Sequence, residues 1–564
     1  MLGSSPAPFP APFRRPAGVV VGLLALLGAL PACVPMPVDG GDPDLTGKAV
    51  RLTILHTSDI HARTFPYNFD PSFTDNGLGL ADADPANPCV ASGTCYGGLA
   101  RIATIIKEQR AKSGRVLHLD SGDSFQGSVT FNYFDGEAEF RALSAMGLDG
   151  AVIANHEFDD GATNLANQAV QWATFPLLAA NYSWEDATQP WATELGDISE
   201  PTAMYDLDGL RVGVIGMANL SSLNSIDEEN NSLGIKVLSE ADVIPHYADL
   251  LHAQGADLVI LLSHEGVDED EILAQTFPQI DLILGGHNHV ALNPPLVITN
   301  LVTGKRIPLV DSGAFSKFVG RLDLVVQDKQ ILSTSYQLFP VDSSVPDDPE
   351  IGALLQEYQD MLDDDLNTSQ VLGYASASLT RYGSSGGDSM LGNFTAQAMR
   401  AFPGVETEVA MTNTLGIRSD IPIGNITEDT LFNTMPFDNS ITTMFLSGRE
   451  MQEVLDYATA RSSERGCVSQ IQVAGITFTM NCLTQTAEDI VINGVPLQEN
   501  GVYEMATNDY IAHGGSGFDV LKRNTTQVDT GISIRDVVKN EIIQRSTLPQ
   551  AGVCEEDGRI NAVY

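Results

Sequence analysis

At 564 residues the chain is longer than one hydrophobic core usually serves, so two or more domains are expected. Hydrophobic content of 43% with 18% charged residues is an ordinary globular composition, but 73 acidic residues against 30 basic ones leave a net charge of −43. Such a surface repels polyanions and excludes nucleic-acid polymers and naked anionic membrane faces as partners, so a phosphate-bearing substrate needs local cations, either metal ions or a few placed arginines.

Arg14 and Arg15 precede the apolar stretch "AGVVVGLLALLGALPAC", which is too short to span a bilayer comfortably and has the pattern of a secretory signal. Its end, Leu30-Pro31-Ala32-Cys33, resembles a bacterial lipoprotein cleavage box, with Cys33 as the lipidated first residue of the mature chain. An ordinary signal peptide cut nearby is the alternative. No later segment has a spanning pattern, so residues 1–33 predict a protein tethered by a lipid anchor alone, on the periplasmic or surface face of the outer membrane. Residues 34–48, "VPMPVDGGDPDLTGK", are a Pro/Gly/Asp-rich linker.

From 49 to 340, strand-like apolar runs alternate with segments of helical period such as "GGLARIATIIKEQRAK" and "ADVIPHYADLLHAQ". The alternation predicts an α/β domain of central mixed sheets layered between helices. Five of the runs end in the same chemistry: "VRLTILHTSDIH" at Asp59 and His61, "RVLHLDSGD" at Asp123, "AVIANH" at Asn155 and His156, "DLVILLSH" at His264, and "IDLILGGHNH" at His287 and His289. Ligands gather at the carboxyl ends of strands in open α/β sheets, so these residues should converge although they span 230 positions. Oxygen and imidazole donors suit Zn, Mn, Fe or Ni. Seven are too many for one four-coordinate ion and suit two ions sharing Asp123 as a bridge, a pair able to clamp a phosphoryl group and hold a hydroxide for in-line attack. His156, one residue beyond Asn155, is placed to stabilise or protonate a leaving oxygen, with Asp159 orienting its ring. His56 and His118 lie inside strands, and His246 and His252 in a helical stretch, which assigns them to core or surface.

Cys89 and Cys95 are close enough to pair, and Cys467 and Cys482 bracket "IQVAGITFTM". Disulfides are expected in an oxidising envelope; a thiolate metal site is the rival, although no pair has CxxC spacing. Cys554 is then odd.

Residues 341–365, "VDSSVPDDPEIG" followed by a helical stretch, form a linker and connecting helix, after which a second α/β domain, for substrate binding, runs over 366–550 with 551–564 as a tail. In it "MTNTLGIRSDI" carries Asn413 and Arg418, whose planar fork suits phosphate or carboxylate. Phe437 in "MPFDNS" and Tyr510 in "NDYIAHGGSGF", next to Gly515 and Ser516, could sandwich a planar base. Core packing is the alternative for both aromatics.

The ordered set "SDIHAR", "DSGDSFQG", "ANHEFD", "LLSHEG" and "GGHNH" resembles the calcineurin-like metallophosphatase domain of the 5′-nucleotidase family. The resemblance implies metal binding by Asp59, His61, Asp123, Asn155, His264, His287 and His289, and His156 with Asp159 as the catalytic dyad. It implies a disulfide in "NPCVASGTCYGGLARI", base stacking by Phe437 and Tyr510, substrate contacts from Asn413 and Arg418, and a hinge near 341–365. Three departures stand out: Ala154 replaces the usual glycine before Asn-His-Glu, Ser516 replaces an aspartate, and "GSSGGDS" lacks the family's basic residues. The expected activity is hydrolysis of nucleoside 5′-monophosphates, with two divalent metal ions as cofactors. UDP-sugar hydrolysis, 2′,3′-cyclic phosphodiesterase action or a non-nucleotide phosphoester are alternatives, and a non-catalytic nucleotide-binding lipoprotein is the alternative of another class.

Overall fold

The computed structural model describes residues 43–564 apart from 81–88, 90–91, 185–194, 220–234 and 551. The signal segment, Cys33 and most of the 34–48 linker therefore lie outside the described residues. Among the described residues no helix is long and apolar enough to cross a membrane.

Two stacked sheets form the centre of the first half. The first has seven strands, in the order Gln330–Pro340, Phe318–Gln327, β1 (Val50–Thr57), β2 (Val116–Asp120), β3 (Gly150–Val152), Leu177–Leu178 and Ser199–Glu200. The second has six: Leu296–Thr299, Arg306–Val310, β5 (Leu282–Leu284), β4 (Leu258–Ser263), Leu210–Met217 and Thr202–Leu207. β1, β2 and β3 are mutually parallel, with Thr57 opposite Asp120 and Asp120 opposite Ala151. β4 and β5 are likewise parallel, so the ligand-bearing ends within each sheet point the same way.

The run "DLVILLSH" is apolar without alternation because both of its faces are covered. Leu258, Ile260 and Leu262 enter the core between the sheets, while Val259 and Leu261 face the helices Glu240–Ala253 and Val267–Thr276. On the far side the helices Leu99–Ala111, Glu137–Ala145 and Gly161–Trp172 close the layer over the first sheet. At the site end the Ser121 hydroxyl donates to the Leu284 carbonyl at 3.1 Å, tying one sheet to the other.

The connecting helix α1 (Pro349–Leu366) starts at Asp348, whose side chain caps the N–H groups of Glu350 and Ile351. Its buried Ile351, Leu355 and Tyr358 belong to the first core, and Tyr358 meets Glu137 and Arg141 there. The helix ends at Asn367 in a left-handed conformation. The second half is built on a five-stranded sheet, Ile471–Ala474, Val409–Asn413, Val502–Asn508, Ser440–Ser447 and Val528–Ser533, with α2 (Gly448–Glu464) packed beside it. The terminal segment 552–564 is built into this half. Ile560–Val563 pairs in parallel with Ile476–Asn481, and Ile560 and Cys554 are buried.

The expected disulfides Cys89–Cys95 and Cys467–Cys482 are both formed. Cys554 is a free thiol that burial pushes up to about 12, and its sulfur meets the Met390 carbonyl. His56 and His118 are fully buried core residues, whereas His246 and His252 are exposed on their helix.

Candidate metal centre and substrate cavity

Each expected ligand follows directly on a strand of the two sheets, where the chain turns sharply. Asp59, His61, Asp123, His287 and His289 all have positive φ, between 49° and 77°. Side chains rarely adopt this conformation, and such strain collects where surrounding structure imposes it at a working site. Backbone bonds impose it here: Asp59 N–H donates to the Gly122 carbonyl, and His61 N–H to the Asp123 carbonyl, both at 2.9 Å.

The seven groups converge. His61 Nε2 and His289 Nε2 are 2.9 Å apart, His289 Nε2 is 3.4 Å from Asp59 Oδ1, and His264 Nε2 is 2.9 Å from Asp123 Oδ2. Asp59 with His61 and His289 forms one group able to hold a cation, and Asp123 with His264 and His287 forms another. The ring orientations are set from behind. His61 Nδ1 bonds the Gln126 carbonyl at 2.9 Å and His264 Nδ1 the Ser121 carbonyl at 2.7 Å, which leaves each Nε2 lone pair facing the cluster.

The donors fit divalent ions. Asn155 Oδ1 is a buried polar atom without a hydrogen-bond partner among the described residues, a costly state that a cation relieves. Burial holds His61 well below its ordinary range, pulls His287 down to about 3 and also lowers His289, so these imidazoles stay neutral, the form that ligates metals. Burial also opposes charge on His264, yet the carboxylates of Asp123 and Asp59 outweigh it and push the group up to about 10. A negative potential that holds a proton this strongly also favours a divalent cation.

His156 lies against this cluster, close enough to form a third such group with His61 and Asp123, and differs from the others in its partner. Its Nδ1 is 2.7 Å from Asp159 Oδ2, and its backbone N–H donates to Asp123 Oδ1 at 2.9 Å. Burial opposes its charge, but Asp159 and then Asp123 raise its pKa above the ordinary histidine value.

Glu157, to which the sequence reasoning assigned no role, joins the loops that carry Asp123 and Asn155. Its carboxylate accepts N–H bonds from Asp123 at 3.1 Å, Ser124 at 2.6 Å and Ala154 at 2.8 Å. The Ala154 departure is accommodated next to it. Ala154 is fully buried, and a Cβ on Gly122 would come within 2.6 Å of its methyl, so the methyl fills space that Gly122 leaves open.

A cavity of about 600 Å³ runs from this cluster to the second half of the chain, lined on that side by Asn413, Arg418, Phe437, Tyr510 and Ser516. Arg418 Nη2 reaches His61 Nε2 at 3.1 Å, and its guanidinium lies 5.9 Å from the Phe437 ring. Phe437 is half-buried, 6.4 Å from the His156 ring. Asn413 Oδ1 accepts from Asn508 Nδ2 at 2.6 Å, which fixes its amide at the cavity wall. Tyr510 packs in the second core while lining the cavity. Gly515 lies under that ring, where a Cβ would come within 2.5 Å of Cε2, and Ser516 N–H donates to the Tyr510 hydroxyl at 2.9 Å.

Two further arginines position this wall, and motif reasoning did not single them out. Arg535 donates to the carbonyls of Met435, Pro436 and Phe437 at 2.7, 2.8 and 3.0 Å, holding the loop that carries Phe437. Arg63, the last residue of "SDIHAR" and given no role there, is buried and donates to Asn433 Oδ1 and, at 3.0 Å, to its carbonyl. That contact joins residues 370 positions apart, which local spacing does not reveal.

Residues 52–291 match the calcineurin-like phosphoesterase family and residues 367–523 match the 5′-nucleotidase C-terminal domain. The chain is similar to the 5′-nucleotidase of Diplobatis ommata, 28% identical over 534 residues that cover 88% of this chain and 87% of that one. It is 26% identical to the 5′-nucleotidase of Mus musculus, over 94% of this chain and 92% of the relative. Among solved structures it is similar to the 5′-nucleotidase precursor from Thermus thermophilus, with a TM-score of 0.79 and 25% identity over 91% of this chain and 99% of the other.

Proposed function

We propose that the chain is a metal-dependent phosphoester hydrolase of the 5′-nucleotidase family, which converts nucleoside 5′-monophosphates to nucleoside and inorganic phosphate. The observation that carries this reading is the cavity joining the Asp/His cluster to Arg418, Phe437 and Tyr510. Asp59, His61, Asp123, Asn155, His264, His287 and His289 hold two divalent ions in this reading, and those ions supply Lewis acidity and a nucleophile of lowered pKa.

The remaining steps fall to the chain itself. Arg418 offers its guanidinium to the phosphate next to the cluster, a geometry in which its charge is worth more than in water. His156, whose hold on a proton Asp159 and Asp123 strengthen, donates from Nε2 to the ester oxygen as it leaves, so the nucleoside departs as an alcohol. Phe437 and Tyr510 hold the base by its faces, which tolerates any base, and Asn413 and Ser516 contact the nucleoside. The domain exchange falls at Asn367, because α1 packs into the first core; a hinge there moves the second domain and leaves the helix in place. Cys33 carries a lipid anchor to the cell envelope, a reading supported by the pattern of residues 14–33 and checked by loss of lipid label in Cys33→Ser.

The test is phosphate release by residues 34–564 with Mn²⁺ or Zn²⁺, from AMP and p-nitrophenyl phosphate in parallel. A strong preference for AMP that a chelator abolishes is expected. Equal chelator-sensitive rates would leave the phosphoesterase standing and remove the nucleotide specificity.

A further inference from the structure

The cavity carries two cations for which hydrolysis of a monophosphate has no use. Arg461 lies in the last turn of α2 and Arg465 is its C-cap, and both line the cavity beside Tyr382 and Tyr510. Four other arginines of the second domain are matched to carboxylates, Arg523 to Glu453, Arg535 to Asp438, Arg545 to Glu541 and Arg559 to Asp557, while Arg381 and Arg400 donate to carbonyls. Arg461 and Arg465 form no such pair among the described residues. Arg461 Nε is buried and has no hydrogen-bond partner there, the state of a donor built for a group that arrives from outside. Arg465 is the exposed C-cap of α2, and desolvation and then the charge of Arg461 lower its pKa, so two like charges lie close together.

Their position separates them from the reacting phosphate. Arg418 is the arginine that meets the metal-facing histidines. Arg461 and Arg465 line the same cavity, and the charged neighbours of Arg465 are Arg461, Tyr382, Glu464 and Tyr510, none of them a metal-facing residue. Elsewhere the cavity wall is acidic, with Asp135, Asp160 and Asp438, so a second anion on the substrate is driven toward the arginines.

We propose that Arg461 and Arg465 form a second anion subsite, which selects phosphate esters whose leaving group carries a further phosphate, as in a nucleoside 3′,5′-bisphosphate. The proposal rests on the nucleotide reading above for the direction in which substrate lies. Two guanidinium forks match the oxygens of a phosphate, and each contact is charge-assisted.

The experiment compares Arg461→Gln, Arg465→Gln and the double variant with wild type on AMP and on adenosine 3′,5′-bisphosphate, and adds equilibrium binding of the bisphosphate to chelator-treated protein. In the double variant KM for the bisphosphate should rise about tenfold with kcat unchanged, while KM for AMP stays within about twofold. Bisphosphate binding should weaken by a similar factor. Equal changes for both substrates, or a lowered melting temperature with no change in KM or binding, would overturn the subsite; the latter would mark the arginines as charges capping α2. Wild type that cleaves p-nitrophenyl phosphate but not AMP would defeat the nucleotide reading instead. Even then, loss of bisphosphate binding in the double variant supports the subsite, and retention of binding overturns it.

Discussion

On the first-domain wall of the cavity, each metal-facing residue follows directly on a strand, and five of the seven have positive φ, with backbone bonds between neighbouring loops holding Asp59 and His61. On the second-domain wall, Arg418 and Phe437 sit on loops and Arg461 and Arg465 at the end of a helix, oriented by arginine-to-carbonyl contacts or by none. The comparison separates two tasks. Reaction chemistry tolerates little displacement and is built into strand ends, whereas substrate choice depends on side chains that change without disturbing the sheets.

Substitutions should therefore divide by wall. Asp123→Asn removes the carboxylate proposed to bridge the two ions and should lower kcat about 10⁴-fold for every ester, nucleotide or not. A variant that is folded by circular dichroism and still active would place the chemistry elsewhere. His156→Ala should cost about 10²-fold or more with AMP and clearly less with p-nitrophenyl phosphate, whose leaving group needs no proton. Equal losses on the two esters would assign His156 to phosphate or metal binding. Glu157→Ala strands three backbone N–H groups and should reduce unfolding free energy by about 3 kcal/mol in denaturant titrations, with weaker Mn²⁺ binding.

On the other wall, Phe437→Ala should raise KM for AMP about tenfold and leave p-nitrophenyl phosphate kinetics as they were, since only a base can stack. A matching rise on both esters would mean that the loop shapes the metal side as well. Ala154→Gly is expected to have the smallest effect, about 1 kcal/mol or less in stability from lost packing against Gly122 and added chain entropy, with kcat retained.

The same division governs what the sequence reveals. Asp59 and His61, or Asn155 and His156, occupy short stretches at the ends of apolar runs, so strand periodicity and local motif together expose the metal-facing set and the α/β layering. Glu157 lies within "ANHEFD", but its three N–H donors are backbone groups, two of them more than thirty positions away, and no residue pattern encodes them. Arg63 meeting Asn433 and Arg535 holding Phe437 likewise depend on how distant segments pack. Arg461 and Arg465 read in sequence as an ordinary charged helix end. Their place on the cavity wall, without a carboxylate paired to either among the described residues, emerges only from the folded chain.

The central claim is that the strand-end cluster is a two-ion phosphoesterase centre, and the most direct test is calorimetric titration of chelator-stripped residues 34–564 with Mn²⁺, with phosphate release followed in parallel. Two ions per chain should bind, with hydrolysis returning as the sites fill, and Asp123→Asn should lose binding at both. Full hydrolysis with no bound ion, or binding unchanged in Asp123→Asn, would contradict the account.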